Sequence, residues 1–371
     1  MAEPLPTPEA IVEPSGYVNT GWFASPFRVA NLIEAPIEHR LSVLRRGMLR
    51  GLEATYRRMR LKRWHYTSVA APDVFFACAI VDAGYVGTAF AYVVDRRTGT
   101  MHEWTTLTPA SRGIVIADNS IDGITRVEQP GFGHIELGND SRRGIRTVDA
   151  KLEGKLGRRN KPPLRAQIEI WDWAQDPDPV VVVEESARGR WLYTHKCYGL
   201  EAGGRVRCGD IGGDIPQGEG HAGLDWNLGY RPYETWWNWA AGGGLSEDGT
   251  RVGFNLTAHR PWDGSAAPPA EHDATDCGLW IDGRLIKLDR VTFDYQPDAI
   301  LQPWRIRDDA GLVDLELTPI GKRSDDVNFG LVVSRFLQPY GVFRGTLRTP
   351  EGDTKRVADL FGVTEQHHAR W

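Results

Sequence analysis

Cysteine and methionine are scarce in this 371-residue chain, with four of each. Cys78, Cys197, Cys208 and Cys277 stand far apart, without a Cys-x-x-Cys or a His/Cys set at zinc spacing. That excludes a disulfide-framework fold and a zinc module, and makes reduced, mostly buried thiols the expected state. A strong charge of one sign is also missing. Lys+Arg number 44 against 49 Asp+Glu, a net of −5, so the whole molecule shows no nucleic-acid footprint. No apolar run approaches ~18 residues, so no membrane-spanning helix is expected. The opening Met-Ala-Glu-Pro-Leu-Pro lacks the apolar core of a secretion signal, which makes a cytoplasmic location the expectation. Standard catalytic signatures are absent as well. There is no phosphate loop, no Gly-x-Gly-x-x-Gly in a strand–helix setting, no His-Glu-x-x-His and no Gly-x-Ser-x-Gly. The expectation is a protein without an organic cofactor and without a metal.

Glycine (41), proline (23) and tryptophan (14) are plentiful. The first two predict many turns, and the third supplies indoles for a core, a ligand pocket or a sugar platform. Residues 1 to about 20 read as extended. From Glu38 to about Leu61, Leu41, Leu44, Met48, Leu52, Tyr56 and Met59 recur at helical spacing, with arginines on the other faces. This basic amphipathic helix reads as a solvated face over an apolar stripe, or as a membrane-surface or partner-binding element. After Trp64 the pattern turns to short strands separated by Gly/Asp turns: Val74 to Val81, Tyr85 to Val94, Met101 to Leu107 and onward. Asp248-Gly249 and Asp282-Gly283 are strong hairpin signals, because Gly adopts a left-handed backbone freely. No crossover helices separate the strands, which argues against a parallel sheet.

The fold class expected is mainly β, with two antiparallel barrel- or sandwich-like halves of similar size. The division reads 1–63 for the extended segment and helix, 64–208 for the first half, 209–224 for a Gly-rich connecting loop, and 225–371 for the second half.

The densest chemistry lies in Asp225 to Ala240, which packs four Trp, two Tyr, two Asn, an Asp, a Glu and an Arg into 16 residues. In a strand, Trp237 and Trp239 share one face, and Trp236 and Asn238 the other. The stretch reads as a pocket wall built from Tyr233, Trp237, Asn238 and Trp239, or as a Trp-rich strand that closes a barrel. His259 with Asp263, and Glu271, His272, Asp273 and Asp276 before Gly278-Leu279-Trp280, are titratable groups in loops, where solvation is the plainer reading. His65 stands between Trp64 and Tyr66 at the entrance to the first β block. Glu365 either projects into a pocket or pairs with Arg370.

At these residues the chain resembles the uncharacterised bacterial domain-of-unknown-function family 2804. The resemblance runs from Gly21-Trp22 to the end. It rests on Lys62-Arg63-Trp64-His65-Tyr66, Tyr85-Val86-Gly87, Asp225-Trp226, Tyr233-x-Thr235-x-Trp237-Asn238-Trp239-Ala240, Gly278-Leu279-Trp280-Ile281-Asp282-Gly283, Gln338-Pro339-Tyr340-Gly341 and Gly362-Val363-Thr364-Glu365. Two positions depart from the pattern: His65 stands where an acidic residue is usual, and Cys277 where Asn is usual. The family is distantly similar to calycin-like proteins that include tocopherol cyclase and carotenoid hydratase. That similarity implies paired lipocalin-like barrels and cofactor-free acid–base chemistry on apolar substrates.

Three functions follow as expectations. The first is a hydratase, isomerase or cyclase acting on a small apolar, isoprenoid-like or aromatic molecule. Its acid–base groups are Asp225, His259, Glu365 and His65, and its walls are Tyr66, Tyr233, Trp237, Asn238, Trp239 and Trp280. The second is a non-catalytic lipocalin-like carrier with the same pocket. The third is a carbohydrate-active protein with an open groove and two carboxylates.

Overall fold

The computed structural model describes residues 3–37, 39, 41, 50–156, 159–172, 177–259, 276–328 and 333–370. Local chemistry builds the hairpins. At Asp95–Gly99 the Asp95 carboxylate accepts the backbone N–H groups of Arg97 (2.9 Å) and Thr98 (3.4 Å), and Gly99 takes φ +75°. At Asp282-Gly283 both residues sit at positive φ (51° and 78°), the backbone a tight two-residue hairpin needs.

These hairpins chain into two curled antiparallel sheets, and the fold is mainly β. The first sheet has thirteen strands. Its main path runs in space Met101–Pro109, Val86–Asp95, Val74–Asp82, Lys62–Ala70, Ile211–Gly229, Arg190–Cys208, Leu164–Trp171, Ile145–Leu152, Gly133–Asp140, Asp122–Gln129 and Ile114–Val115. Strand Val180–Ala187 also pairs with Arg190–Cys208, and Gly21–Phe23 pairs with Val180–Ala187. The second sheet has nine strands: Arg284–Lys287, Gly278–Ile281, Arg251–Ala258, Glu234–Leu245, Thr354–Arg370, Val333–Arg348, Val313–Asn328, Trp304–Asp308 and Val291–Asp294. The halves are therefore unequal in strand number. Among the described residues, no helix is long and apolar enough to cross a membrane.

Several expectations change on contact with the structure. The Gly-rich stretch 209–224, read as a loop, is mostly the long strand Ile211–Gly229, paired along the Arg190–Cys208 strand and with Lys62–Ala70. Glycine serves close approach there: a Cβ on Gly223 would lie 2.1 Å from the Tyr198 ring. Asp225 and Trp226 consequently belong to the first sheet and not to the second half. Strands Asp122–Gln129 and Gly133–Asp140 were not read from the sequence. The helix is described over Arg50–Arg60, and most of 38–49 lies outside the described residues. The N-terminal segment buries Ile11, Phe23, Phe27 and Leu32 against the first sheet, with Phe27 edge-on to Tyr193 at 5.7 Å. All four cysteines are free and buried.

The two sheets meet backbone to backbone. A Cβ on Gly253 would come within 2.5 Å of the Tyr198 carbonyl carbon, and one on Gly243 within 2.8 Å of the Gly199 nitrogen. Around this contact Trp239, Ala241, Trp280, Tyr340, Phe361 and Val363 of the second sheet join the core of the first. A separate core fills the second sheet around Phe254, Leu279, Trp304, Leu315 and Phe343.

Candidate functional site at the seam between the sheets

Strand alternation decides which side chains reach the seam. In the first sheet, Lys196, Asp225 and Tyr66 are cross-strand partners, so they share one face. Trp64 and Asn227, two residues along, lie on that face too. In the second sheet Trp239 pairs with Glu365 and Trp237 with His367. These two faces meet: Tyr66 packs edge-on against Trp239 at 5.4 Å between ring centroids.

Two polar clusters occupy the seam. In the first, the Lys196 ammonium lies between the Asp225 (2.9 Å) and Asp276 (2.7 Å) carboxylates, with Lys196 and Asp225 both buried. Asp225 also accepts the indole N–H of Trp64 (3.3 Å) and a side-chain hydrogen bond from Asn227. One ammonium cannot neutralise two carboxylates in a poorly solvated place. Burial opposes the Lys196 charge, but Asp225 and Asp276 outweigh it and raise its pKa. Burial likewise opposes the Asp276 charge, and Lys196 and His259 overcome it, so Asp276 stays ionised. At Asp225 burial prevails over Lys196 and raises the pKa. Beside them, burial and the Asp276 charge push half-buried Glu184 up to about 7, against the pull of Arg231 and Lys196.

The second cluster centres on Glu365. Its carboxylate accepts the indole N–H of Trp237 (2.9 Å) and the Gln338 amide (2.7 Å), and contacts His367 Nδ1 at 3.1 Å. Burial works against its charge, but these neighbours, His367 foremost, hold its pKa below the usual value. Gln338 in turn accepts the Tyr92 hydroxyl (3.0 Å), and Tyr92 contacts the Tyr66 phenol.

Two bridges join the clusters. Asn255 Oδ1 accepts the Trp239 indole N–H (2.8 Å) and lies 3.5 Å from Lys196 Nζ. The buried Arg231 guanidinium lies over the rings of Trp64 (4.4 Å) and Trp237 (5.7 Å). Burial lowers the Arg231 pKa to about 10, with Glu184 opposing, so it remains a cation near neutrality.

The structure thus brings together Asp225, Glu365, Tyr66, Trp237 and Trp239 of the residues singled out from sequence. Others lie elsewhere. His65 points to the opposite face of its strand, beside Trp226, because its neighbours in sequence take the seam side. Asn238 faces the interior of the second sheet, where it donates to Tyr295 (2.9 Å). Trp280 is buried and anchored by its indole N–H to the Asp178 carbonyl (2.6 Å). Tyr233 is 49% exposed. His259 is the exception among these: one residue past its strand, it stands beside Asp276 at the edge of the first cluster. Asp263, Glu271, His272 and Asp273 lie outside the described residues. The Trp-lined wall faces the seam and not a dry chamber inside the second half, since charged groups accompany the indoles.

Sequence reasoning missed Lys196, Glu184, Arg231, Asn255, Gln338 and His367. One signal was legible: Lys196 is the one Lys, Arg, Asp or Glu in the mostly apolar and aromatic run Trp191–Leu200, and a lysine is buried in such a run only with partners.

Sheet and seam define the class: a mainly β protein of two curled antiparallel half-barrel sheets, with two linked polar clusters where the sheets meet. Within that class the chain belongs to the family described as Domain of unknown function (DUF2804), whose model matches residues 3–371. No curated protein matches the chain. Among solved structures it is similar to a Nitrosomonas europaea protein provisionally assigned as AttH, at 12% identity and TM-score 0.52, covering 83% of this chain and 92% of that one. It is also similar to kievitone hydratase from Nectria haematococca, at 9% identity and TM-score 0.42, covering 84% and 88%. CghA matches at 9% identity and TM-score 0.47, covering 84% and 88%. The AttH likeness establishes a shared architecture, and a shared architecture alone does not carry an activity.

Proposed function

We propose that this chain is an acid–base enzyme of the hydratase, isomerase or cyclase type. Its substrate is a small, mostly apolar molecule with an isoprenoid-like or aromatic portion, bound at the seam. The observation that carries this reading is a pair of carboxyl environments driven in opposite directions on the two aromatic faces that meet at the seam. The donors around Glu365 lower its pKa, whereas burial raises that of Asp225. Environments that separate two carboxyl groups in this way assign acid and base.

In a hydration, the Asp225 proton adds to one carbon of a double bond. Water attacks the cationic carbon, and its proton passes to Glu365, so atoms and charge balance. In an isomerisation or cyclisation, the cation instead loses a proton to Glu365. Indole faces stabilise the intermediate cation. Arg231 above Trp64 and Trp237 supports this, because it demonstrates a cation seated against those rings. Glu184, near pH 7, is suited to return a proton to Asp225 between turnovers.

Native mass spectrometry of the purified chain, followed by turnover assays on the released molecule and its relatives, tests the reading. Glu365→Gln and Asp225→Asn should each lower kcat by roughly 100-fold or more while the chain stays folded. Wild-type turnover in both variants overturns it. A second reading, a non-catalytic carrier, draws on the same cluster: three neighbours already engage Glu365. It predicts a ligand recovered unchanged after long incubation with wild-type protein.

A further inference from the structure

We infer that the first sheet carries a second ligand site, separate from the seam, for a small zwitterion with its carboxylate inward and its ammonium at the rim. The inference does not rest on the acid–base reading. A cavity of about 340 Å³ opens on the face of the sheet opposite Lys196, and its volume lies within the range of small-molecule sites.

The inner wall offers hydrogen-bond donors. Buried Arg146 donates from Nε to Asp172 (2.5 Å) and from Nη1 to the Ser120 carbonyl (2.9 Å) and Asn139 Oδ1 (2.8 Å). Buried His195 meets Ser120 Oγ through Nδ1 at 2.9 Å, and Ser120 Oγ lies 3.2 Å from the Tyr193 hydroxyl. Burial, with Arg146 and His65, keeps His195 neutral, so it adds hydrogen bonding without charge. Arg146 and His195 both line the cavity. An acceptor such as a carboxylate suits this end.

The rim is acidic. Half-buried Asp140 and exposed Asp178 lie there with exposed Arg28, and Asp172 already offsets Arg146. Each of the two outer carboxylates uses one oxygen for backbone N–H groups: Asp140 for Arg142 and Arg143, Asp178 for Leu285. Carboxylates outnumber the arginine at the rim, which favours a cationic group there.

Isothermal titration of the full chain with β-alanine and 4-aminobutyrate, against propionate, propylamine and glycerol, tests the inference. One molecule of zwitterion should bind per chain, about tenfold or more tighter than either half-molecule. Asp140→Asn keeps the turn acceptor and removes the rim charge; it should weaken the zwitterion and propylamine but leave propionate unchanged. His195→Gln should weaken the zwitterion and propionate. Glu365→Gln, at the seam, should leave binding unchanged. Absence of saturable binding to wild type overturns the site, as does propionate or glycerol binding as tightly as the zwitterion. Loss of binding in Glu365→Gln moves the ligand to the seam and overturns it equally.

Discussion

His195 and Lys196 adjoin in one strand, yet they sit under opposite electrostatic regimes. Lys196 faces the seam, where Asp225 and Asp276 keep it charged. His195 faces the interior of the first sheet, where burial and Arg146 strip it of its proton. The register extends the contrast across three strands. Tyr66 and Asp225 accompany Lys196, while His65 and Trp226 accompany His195. Across these three strands the sheet thus separates a lysine–carboxylate cluster from two imidazoles whose pKa burial and Arg146 lower. The lesson is that burial alone does not set the charge of a polar group; the partners on its own face do.

The sharpest way to break this comparison is to remove one member from each face. Lys196→Met leaves two carboxylates without their cation and should cost about 3–5 kcal/mol in denaturant unfolding, the range for a broken buried ion pair. His195→Gln, which removes only a neutral hydrogen-bonding ring, should cost about 1–3 kcal/mol. Equal losses would erase the distinction between the faces.

A smaller effect tests how closely the seam is packed. Gly253→Ala drives a methyl group against the Tyr198 backbone and should destabilise by about 1–3 kcal/mol. Neutral behaviour would mean that the sheets slide apart easily. Trp237→Phe keeps the ring but removes the N–H donated to Glu365, and should cost about 1–2 kcal/mol.

A further effect is in pH dependence, where the two faces carry opposite signs. His65 falls from 6.5 to about 3 in the folded chain through burial and Arg146. Between those values the unfolded chain binds the extra proton, so its contribution is full above pH 6.5 and is lost as pH falls toward 3. Glu184 rises from 4.5 to about 7, so there the folded chain binds the extra proton. Its contribution is full below pH 4.5 and is lost as pH rises through 7. In stability–pH profiles, His65→Leu should flatten the acid-side loss, and Glu184→Gln should remove a decline between pH 5 and 7. Profiles shifted in the same direction by both variants would contradict the two-faced reading.

Parts of this architecture were legible in the residues. The β class, the hairpins at Asp95–Gly99 and Asp282-Gly283, and the shared face of Trp237 and Trp239 follow from turn chemistry and a period of two. The helix was legible only in its Arg50–Arg60 part among the described residues. The strand at Ile211–Gly229 was not, because glycine reads as a loop former until a partner such as the Tyr198 ring explains the missing side chain. The candidate site was half legible. Asp225 stood out beside Trp226, and Glu365 in a C-terminal stretch that ends in Trp371, whereas Glu184, Arg231 and Gln338 carry no local mark of their partners.

What the sequence determined by itself was alternation: which side chains of a strand share a face, and where the chain must turn. Those properties depend on neighbours one or two positions away. Tertiary structure decided which faces meet, and therefore that Lys196 would stand between Asp225 and Asp276 while His65 turned away from both. Coulomb energy and desolvation depend on distance in space and on excluded water, and strands far apart in the chain set both.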